Sequence, residues 1–404
     1  MRLYEGYKDK RGLLLSTRFK DTLNLFSHVC IVSSLFTLDT KRGSRVEVML
    51  SSRVTMTYVP RQDRIRELFP NEPAFRLRQI EEALFHPSVR GWNDITSLSL
   101  SMREALTASV PFQSLAVVKI FESKKQDTFK AIVNVEGDKE VETVLMKNPR
   151  GAWTICVSSQ VGCAMACGFC ATGKMGLIRQ LHSDEIVDQY RLWQHFLLDH
   201  PKLPPRISNV VFMGMGEPLA NYENVKATLN TILAQSDLGK TRITVSTVGV
   251  LPRLEQLLND PDWPHVRMAV SLHSADPKTR KEIVPTSYDA FLPKLEDWAK
   301  RYLARFGNRR HHLTFEYVML SGVNDTPHHA KLLAEFVKRI GNVRVNLIPY
   351  NFTGCEFTCS TKKNLDMFEE ALEKSGVTVT RRRTMGEDIE AACGQLVRKE
   401  EANT

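Results

Sequence analysis

The stretch Cys163-Ala164-Met165-Ala166-Cys167-Gly168-Phe169-Cys170 decides how this chain is read. Three thiols within eight residues make a soft, electron-rich claw suited to iron–sulfur ligation. A cubane cluster normally takes four cysteine ligands, so three leave one iron open to a small molecule that offers an amine and a carboxylate. A structural zinc site is the competing reading. Zinc, however, wants four ligands, usually as two C-x2-C pairs or a Cys/His mixture, and the next cysteines, Cys355 and Cys359, lie far downstream. Single cysteines are often plain packing residues, but three beside Gly162 and Gly168 do not form a packing pattern.

Around the claw, strand and helix patterns alternate. Strands are expected at Trp153–Val157, Ile207–Met213, Arg242–Ser246, Val266–Leu272, Leu313–Met319 and Arg344–Ile348. Helical spacing of apolar residues falls between them, at Ser183–Leu198, Tyr222–Leu233, Leu251–Leu258, Phe291–Phe306 and Pro327–Arg339. Six β/α units in succession imply an α/β fold with a parallel sheet covered on both faces, rolled into a partial (β/α)6, TIM-like barrel. Chemistry in such folds gathers at the C-terminal ends of the strands, and the claw follows the first of them.

The remaining chain divides by pattern. Residues 1–60 read as a strand-containing extension and residues 61–112 as a small helical accessory domain. In that domain Leu77, Ile80, Ala83 and Leu84, then Leu98, Met102 and Leu106, recur at helical spacing, with Thr96 and Ser97 as expected caps. Residues 113–150 read as a β-meander linker, 151–365 as the core barrel and 366–404 as a C-terminal segment. At 404 residues the chain has room for one large domain and a smaller one. The run Val29–Phe36 is too short to span a bilayer, so no membrane association is expected. Eight unevenly clustered cysteines do not resemble a secreted disulfide framework, and an oxygen-sensitive cluster points to the reducing cytoplasm. A net charge of +9 suits a polyanionic partner without proving one.

Other strand ends carry polar groups. Gly214-Met215-Gly216-Glu217-Pro218 follows the second strand, where Gly216 lets backbone approach a ligand and Glu217 offers a carboxylate to an ammonium group. Ser246 ends the third strand, and Ser271, Leu272 and His273 end the fourth, where hydroxyl and imidazole groups suit a ribose or carboxylate. A histidine at such a position is as often structural as functional. Asn351 ends the sixth, placed to hydrogen-bond an adenine edge.

The C-x3-C-x2-C spacing, with Phe169 before the last cysteine, resembles the signature of radical S-adenosylmethionine (SAM) enzymes. Together with "TICVSSQVGC" around Cys156, "GMGEPL", "VSTVG", "SLHS", "NLIPYN" and "DIEAACGQL" around Cys393, it resembles the dual-specificity RNA methyltransferases that methylate adenine carbons, over roughly residues 60–400. The resemblance implies a [4Fe–4S] cluster on Cys163, Cys167 and Cys170, and SAM bound by Gly216, Glu217, Ser246, Ser271, Leu272, His273 and Asn351. It also implies a methyl-carrying Cys393, a second catalytic cysteine at Cys156 and a proton acceptor at Glu142, whose spacing to Cys156 is one residue longer than the family pattern. The implied substrate is an adenine of 23S rRNA, methylated at C2, with adenine 37 of tRNA as a second target. Methylation at C8 is the alternative within the family, and a non-catalytic iron–sulfur RNA-binding factor is the alternative outside it. The implied partners further include an electron donor such as flavodoxin or ferredoxin, and a thiol reductant for a Cys156–Cys393 disulfide. Arg76, Arg78, Lys124, Lys125, Arg309, Arg310, Arg381 and Arg382 are candidate phosphate contacts that are equally readable as solvated charges. Cys355 and Cys359 match no family motif and read as incidental, with a second metal site as the other option.

Overall fold

A computed structural model describes residues 21–26, 29–39, 45–55, 58–308 and 313–396. Arg309 and Arg310 lie outside the described residues, as do the chain ends 1–20 and 397–404. The chain divides into two units, Met1–Val59 and Pro60–Thr404. The first holds three antiparallel strands in sequential order, β1 (Asp21–Phe26), β2 (Val29–Asp39) and β3 (Arg45–Thr55).

The second unit opens with α1 (Arg61–Leu68), α2 (Ala74–Phe85) and α3 (Leu100–Ser109), within the stretch expected to be helical. Ile80, Leu84, Leu98, Met102 and Leu106 are buried, as their spacing implies. The cap of α3 is Ser99, whose hydroxyl accepts from the Met102 N–H, and neither Thr96 nor Ser97 fills that role. A meander follows, β4 (Ala116–Glu122), β5 (Thr128–Val135) and β6 (Lys139–Lys147). It is continuous with the central sheet, because β6 pairs antiparallel with β7 (Trp153–Cys156).

The claw lies in a hairpin the sequence did not announce. β8 (Gln160–Cys163) leads into it and α4 (Ala171–Lys174) leaves it. β9 (Gly176–Gln180) then returns antiparallel to β8. Gly162 is required there: its φ is +76°, and a Cβ would meet the Gly176 carbonyl oxygen at 1.9 Å.

The β/α units then run α5 (Ser183–Asp199), β10 (Ile207–Phe212), α6 (Tyr222–Gln235), β11 (Ile243–Thr247), α7 (Leu251–Asn259), β12 (Arg267–Ser271), α8 (Pro277–Ile283), α9 (Phe291–Phe306), β13 (Leu313–Met319), α10 (Pro327–Ile340), β14 (Val343–Pro349), α11 (Lys362–Lys374) and β15 (Thr378–Arg381). The ten-stranded sheet has the order β15-β14-β13-β12-β11-β10-β7-β6-β5-β4, and every pairing from β7 to β15 is parallel. This is an α/β fold with an open barrel, since β15 and β4 remain as edges. The six expected parallel strands are all present, and β15 adds a seventh. Its four residues after Gly376 are too few to carry a strand pattern by themselves. Among the described residues no helix is long and apolar enough to cross a membrane.

One charge cluster ties the helical module to the core. Asp188, inside α5 and fully buried, accepts from Arg61 of α1, from Arg191 Nη1 at 2.5 Å and from the Ser114 N–H at 2.6 Å. Burial alone would raise its carboxyl pKa, but the two guanidinium groups outweigh that and hold it down at about 2. Burial pulls Arg191 down as well, yet a guanidinium stays protonated at any pH the fold survives. Because the folded pKa of Asp188 is depressed, its stabilisation is complete above the ordinary carboxylate value and is lost as pH falls through about 2. Asp188→Asn leaves two buried cations without their counter-charge. It is expected to cost about 3–5 kcal/mol in urea unfolding at pH 7, with the difference from wild type shrinking as acid is added. Equal stability of the two proteins at pH 7 would refute this role.

Candidate active site

The C-terminal ends of β10–β14 open into one pocket, and the loop after β8 forms its wall. Cys163, Cys167 and Cys170 line it together with Gly216, Glu217, Ser246, Ser271, His273, Asn351 and Cys393. Leu272 is the exception among the expected cofactor contacts. It is wholly buried, and its N–H donates to the Glu316 carbonyl at 3.0 Å, so it packs behind the wall.

All three claw thiols are pushed up by burial and by their anionic neighbours, Cys163 to about 12. Without metal they are therefore neutral thiols, and loading iron must displace their protons. Among the described residues no three His, Cys, Asp or Glu side chains converge on a single-ion position. The three thiols line one pocket, and soft donors of this kind suit a multi-iron cluster. Cys355 is buried and Cys359 exposed.

Glu217 is buried, and among the described residues no cationic side chain stands within ion-pair distance of it. Its carboxylate accepts from the Leu219 N–H at 3.0 Å and the Val248 N–H at 2.8 Å, while its own N–H donates to Gln160 Oε1 at 2.7 Å. Burial outweighs these hydrogen bonds and pushes its pKa up to about 7. A buried acid without a counter-ion on the pocket wall is what an incoming ammonium group requires. Gly216 beside it has φ +102°, and a Cβ would strike Gln160 Cβ at 2.5 Å, so glycine is obligatory there.

His273 is held neutral: burial first, then Arg280, lowers its pKa to about 3. Its Nδ1 accepts from the Val318 N–H at 3.1 Å, which leaves Nε2 to carry the proton. The ring packs edge-on against Phe169 at 4.6 Å, steadying the residue before Cys170. The Ser246 and Ser271 hydroxyls stand 3.3 Å apart on the wall.

Asn351 is already engaged. Its amide nitrogen donates to the Cys393 carbonyl at 3.2 Å, and its oxygen accepts from the Thr384 hydroxyl at 3.0 Å. The segment carrying Cys393 is thus strapped in place. The Ala171 N–H donates to the Gly394 carbonyl at 2.9 Å, Lys130 Nζ to the Glu390 carbonyl at 3.3 Å, and Gln395 Nε2 to the Phe352 carbonyl at 2.9 Å. Cys393 itself is exposed and also borders a second pocket, lined by Cys156, Met213 and Arg382. Burial, then the neighbouring Cys393, pushes the Cys156 thiol up to about 12, so Cys156 rests protonated.

Glu142 lies on β6, on the sheet face shared by Val144 and its partner Cys156. It is buried, lines neither pocket, and pairs with Lys130 Nζ at 3.1 Å. Two of the candidate phosphate contacts are committed elsewhere. Arg381 is bound to Asp366 at 2.8 Å and to Glu369, and Arg382 turns inward to Glu316 at 3.7 Å, Met213 Sδ at 3.4 Å and Cys393 Sγ at 3.9 Å. Arg76 spans Glu72 and Gln79, while Arg78, Lys124 and Lys125 are exposed. The inward turn of Arg382 was missed because basic runs read as surface. Its position just past a strand end was the available signal.

Residues 157–337 match the radical SAM superfamily model. The crystal structure of a radical SAM methyltransferase from Sphaerobacter thermophilus is 34% identical, with a TM-score of 0.76, and the match covers 84% of this chain and 97% of that one. A domain of pyruvate-formate lyase-activating enzyme from Bacteroides vulgatus is 18% identical (TM-score 0.34; 44% of this chain, 99% of that one). SuiB from Streptococcus suis, solved with S-adenosylmethionine bound, is 15% identical (TM-score 0.41; 59% and 55%). Superfamily members bind a [4Fe–4S] cluster and SAM, and the three claw thiols and the unpaired Glu217 fit these two cofactors. The chain is a radical SAM enzyme, in the same family as the methyltransferase it matches along most of its length.

Proposed function

We propose that this enzyme methylates C2 of an adenine in 23S rRNA, and adenine 37 of tRNA as a second target, through a methyl group carried on Cys393. One observation supports this above the others. Cys393 lines the pocket of the three claw thiols, and it also borders the one that holds Cys156. A cluster-binding pocket with a free thiol at its mouth and a second thiol behind it suits a relay. Adenine C2 lies between two nitrogens and is too electron-poor to attack a sulfonium directly, so a carrier and a radical route are needed.

The residues divide the work as follows. Cys163, Cys167 and Cys170 hold the cluster, and Glu217 takes the amino group of SAM. When bound, these cofactors supply a 5′-deoxyadenosyl radical able to remove one hydrogen atom from a methyl group. Cys393 first accepts a methyl group from one SAM by displacement, as a thiolate does. The methylene left on its sulfur after hydrogen removal bonds to adenine C2. The radical adduct would return one electron to the oxidised cluster that Cys163, Cys167 and Cys170 would hold, while Glu142 takes the C2 proton and Lys130 holds that carboxylate in place. Cys156 then attacks the Cys393 sulfur, forming a disulfide and releasing the carbon, which a proton completes as methyl. A flavodoxin or ferredoxin supplies electrons and a thiol reductant reopens the disulfide. An adenine presented by its edge must be unstacked from its neighbours. Arg78, Lys124 and Lys125 remain available as phosphate contacts.

Cys393→Ala is expected to abolish RNA methylation while leaving iron content and melting temperature unchanged. Mass spectrometry of digested 23S rRNA reads the product, as 2-methyladenosine for this proposal and 8-methyladenosine for the alternative regiochemistry. Full activity of the variant would rule out the relay. Glu217 must be ionised to hold an ammonium group, and its pKa of about 7 places that change within the working range. SAM affinity of the iron-loaded protein should therefore weaken from pH 8 to pH 6. Glu217→Gln should lose about 10–100-fold in affinity at pH 8, the worth of a charge-assisted hydrogen bond, and show a flat profile. A wild-type profile without slope would remove Glu217 from the site.

A further inference from the structure

Arg280 is the most anomalous charge in the described structure. It lies on α8 with 1% of its surface exposed, and no carboxylate stands within ion-pair distance of it among the described residues. Its Nη2 donates to the Val248 carbonyl at 2.8 Å and the Ser271 carbonyl at 3.4 Å, at the ends of β11 and β12. The guanidinium stacks 3.8 Å above the Phe291 ring, and its buried Nε has no hydrogen-bond partner. The neighbouring group able to become anionic beside it is the Cys167 thiol, one of the three cluster ligands. The same helix holds the claw mechanically, because the Gly168 N–H donates to the Ile283 carbonyl at 3.0 Å.

A buried cation facing only carbonyls and a ring is costly, and an anion must offset it. Arg280 does not line the cofactor pocket, so it does not meet the SAM carboxylate directly. It stands behind the claw, where the incoming anion is the thiolate-bound cluster. A [4Fe–4S] core on three thiolates goes from one negative charge to two when it takes one electron from a low-potential donor. A fixed positive charge favours the more negative state, and low dielectric magnifies the effect.

We propose that Arg280 is a positioning residue for the cluster charge. It sets the reduction potential from behind the Cys167 corner, as a counter-charge built into the fold. This rests on superfamily membership and on no feature of the RNA reading, so the two can fail separately.

The test is a potentiometric titration of the reconstituted, SAM-free protein with dithionite and mediators, followed by electron paramagnetic resonance. Arg280→Gln should move the midpoint negative by about 59 mV, a tenfold loss of the reduced fraction at fixed potential. Arg280→Lys, which keeps the charge, should stay nearer wild type. If Arg280→Gln folds but retains no iron, Arg280→Lys with the full complement supports the same charge requirement. An unchanged midpoint in Arg280→Gln overturns the proposal. So do equal shifts or equal iron loss in both variants, or an effect confined to SAM affinity.

Discussion

The claw loop has little regular structure of its own, and backbone hydrogen bonds from distant parts of the domain hold it. On one side the Gly168 N–H reaches the end of α8, and on the other the Ala171 N–H reaches Gly394 in the C-terminal segment. The hairpin β8–β9 closes its base. A cluster ligand set must present three sulfurs at fixed separations, which a free eight-residue loop would not do. The same bond that steadies Cys170 from the C-terminal side also delivers Cys393 to the pocket mouth. Cluster geometry and the position of Cys393 therefore share a fastening.

Charge distribution around the pocket follows a complementary plan. Among the described residues, Glu217 is a buried acid with no cation in ion-pair reach, and Arg280 a buried cation with no carboxylate in reach. Either alone would destabilise an empty protein. A zwitterionic sulfonium cofactor and an anionic cluster answer both deficits. Elsewhere in the described residues, where no ligand is expected, buried charges meet an opposite charge, as Asp188 does with Arg61 and Arg191.

Much of this was legible beforehand because strands buried on both faces and amphipathic helices leave strong periodic signals. The claw, the Gly216–Glu217 turn and the serines at strand ends were readable as motifs, and they converge on one pocket. What escaped notice depends on long-range pairing. The β8–β9 hairpin has strands of four and five residues without alternation, and β15 is four residues long. Asn351 was expected at an adenine edge, yet its amide holds the Cys393 carbonyl, a partner 42 residues away. The Gly394 carbonyl likewise accepts from Ala171, more than two hundred residues back in the chain, and fixes the turn. Arg280 lies in an ordinary-looking helix, and only its burial sets it apart.

The central claim is that Cys393 carries the methyl group between SAM and RNA. Anaerobic turnover with SAM bearing a trideuterated methyl group tests it most directly, followed by mass analysis of both the Cys393 peptide and the RNA product. The relay predicts a trideuterated methyl on Cys393 before RNA is added, and a product methyl that keeps two of the three deuteriums. An unlabelled Cys393 peptide, with all three deuteriums arriving intact on adenine, would contradict it.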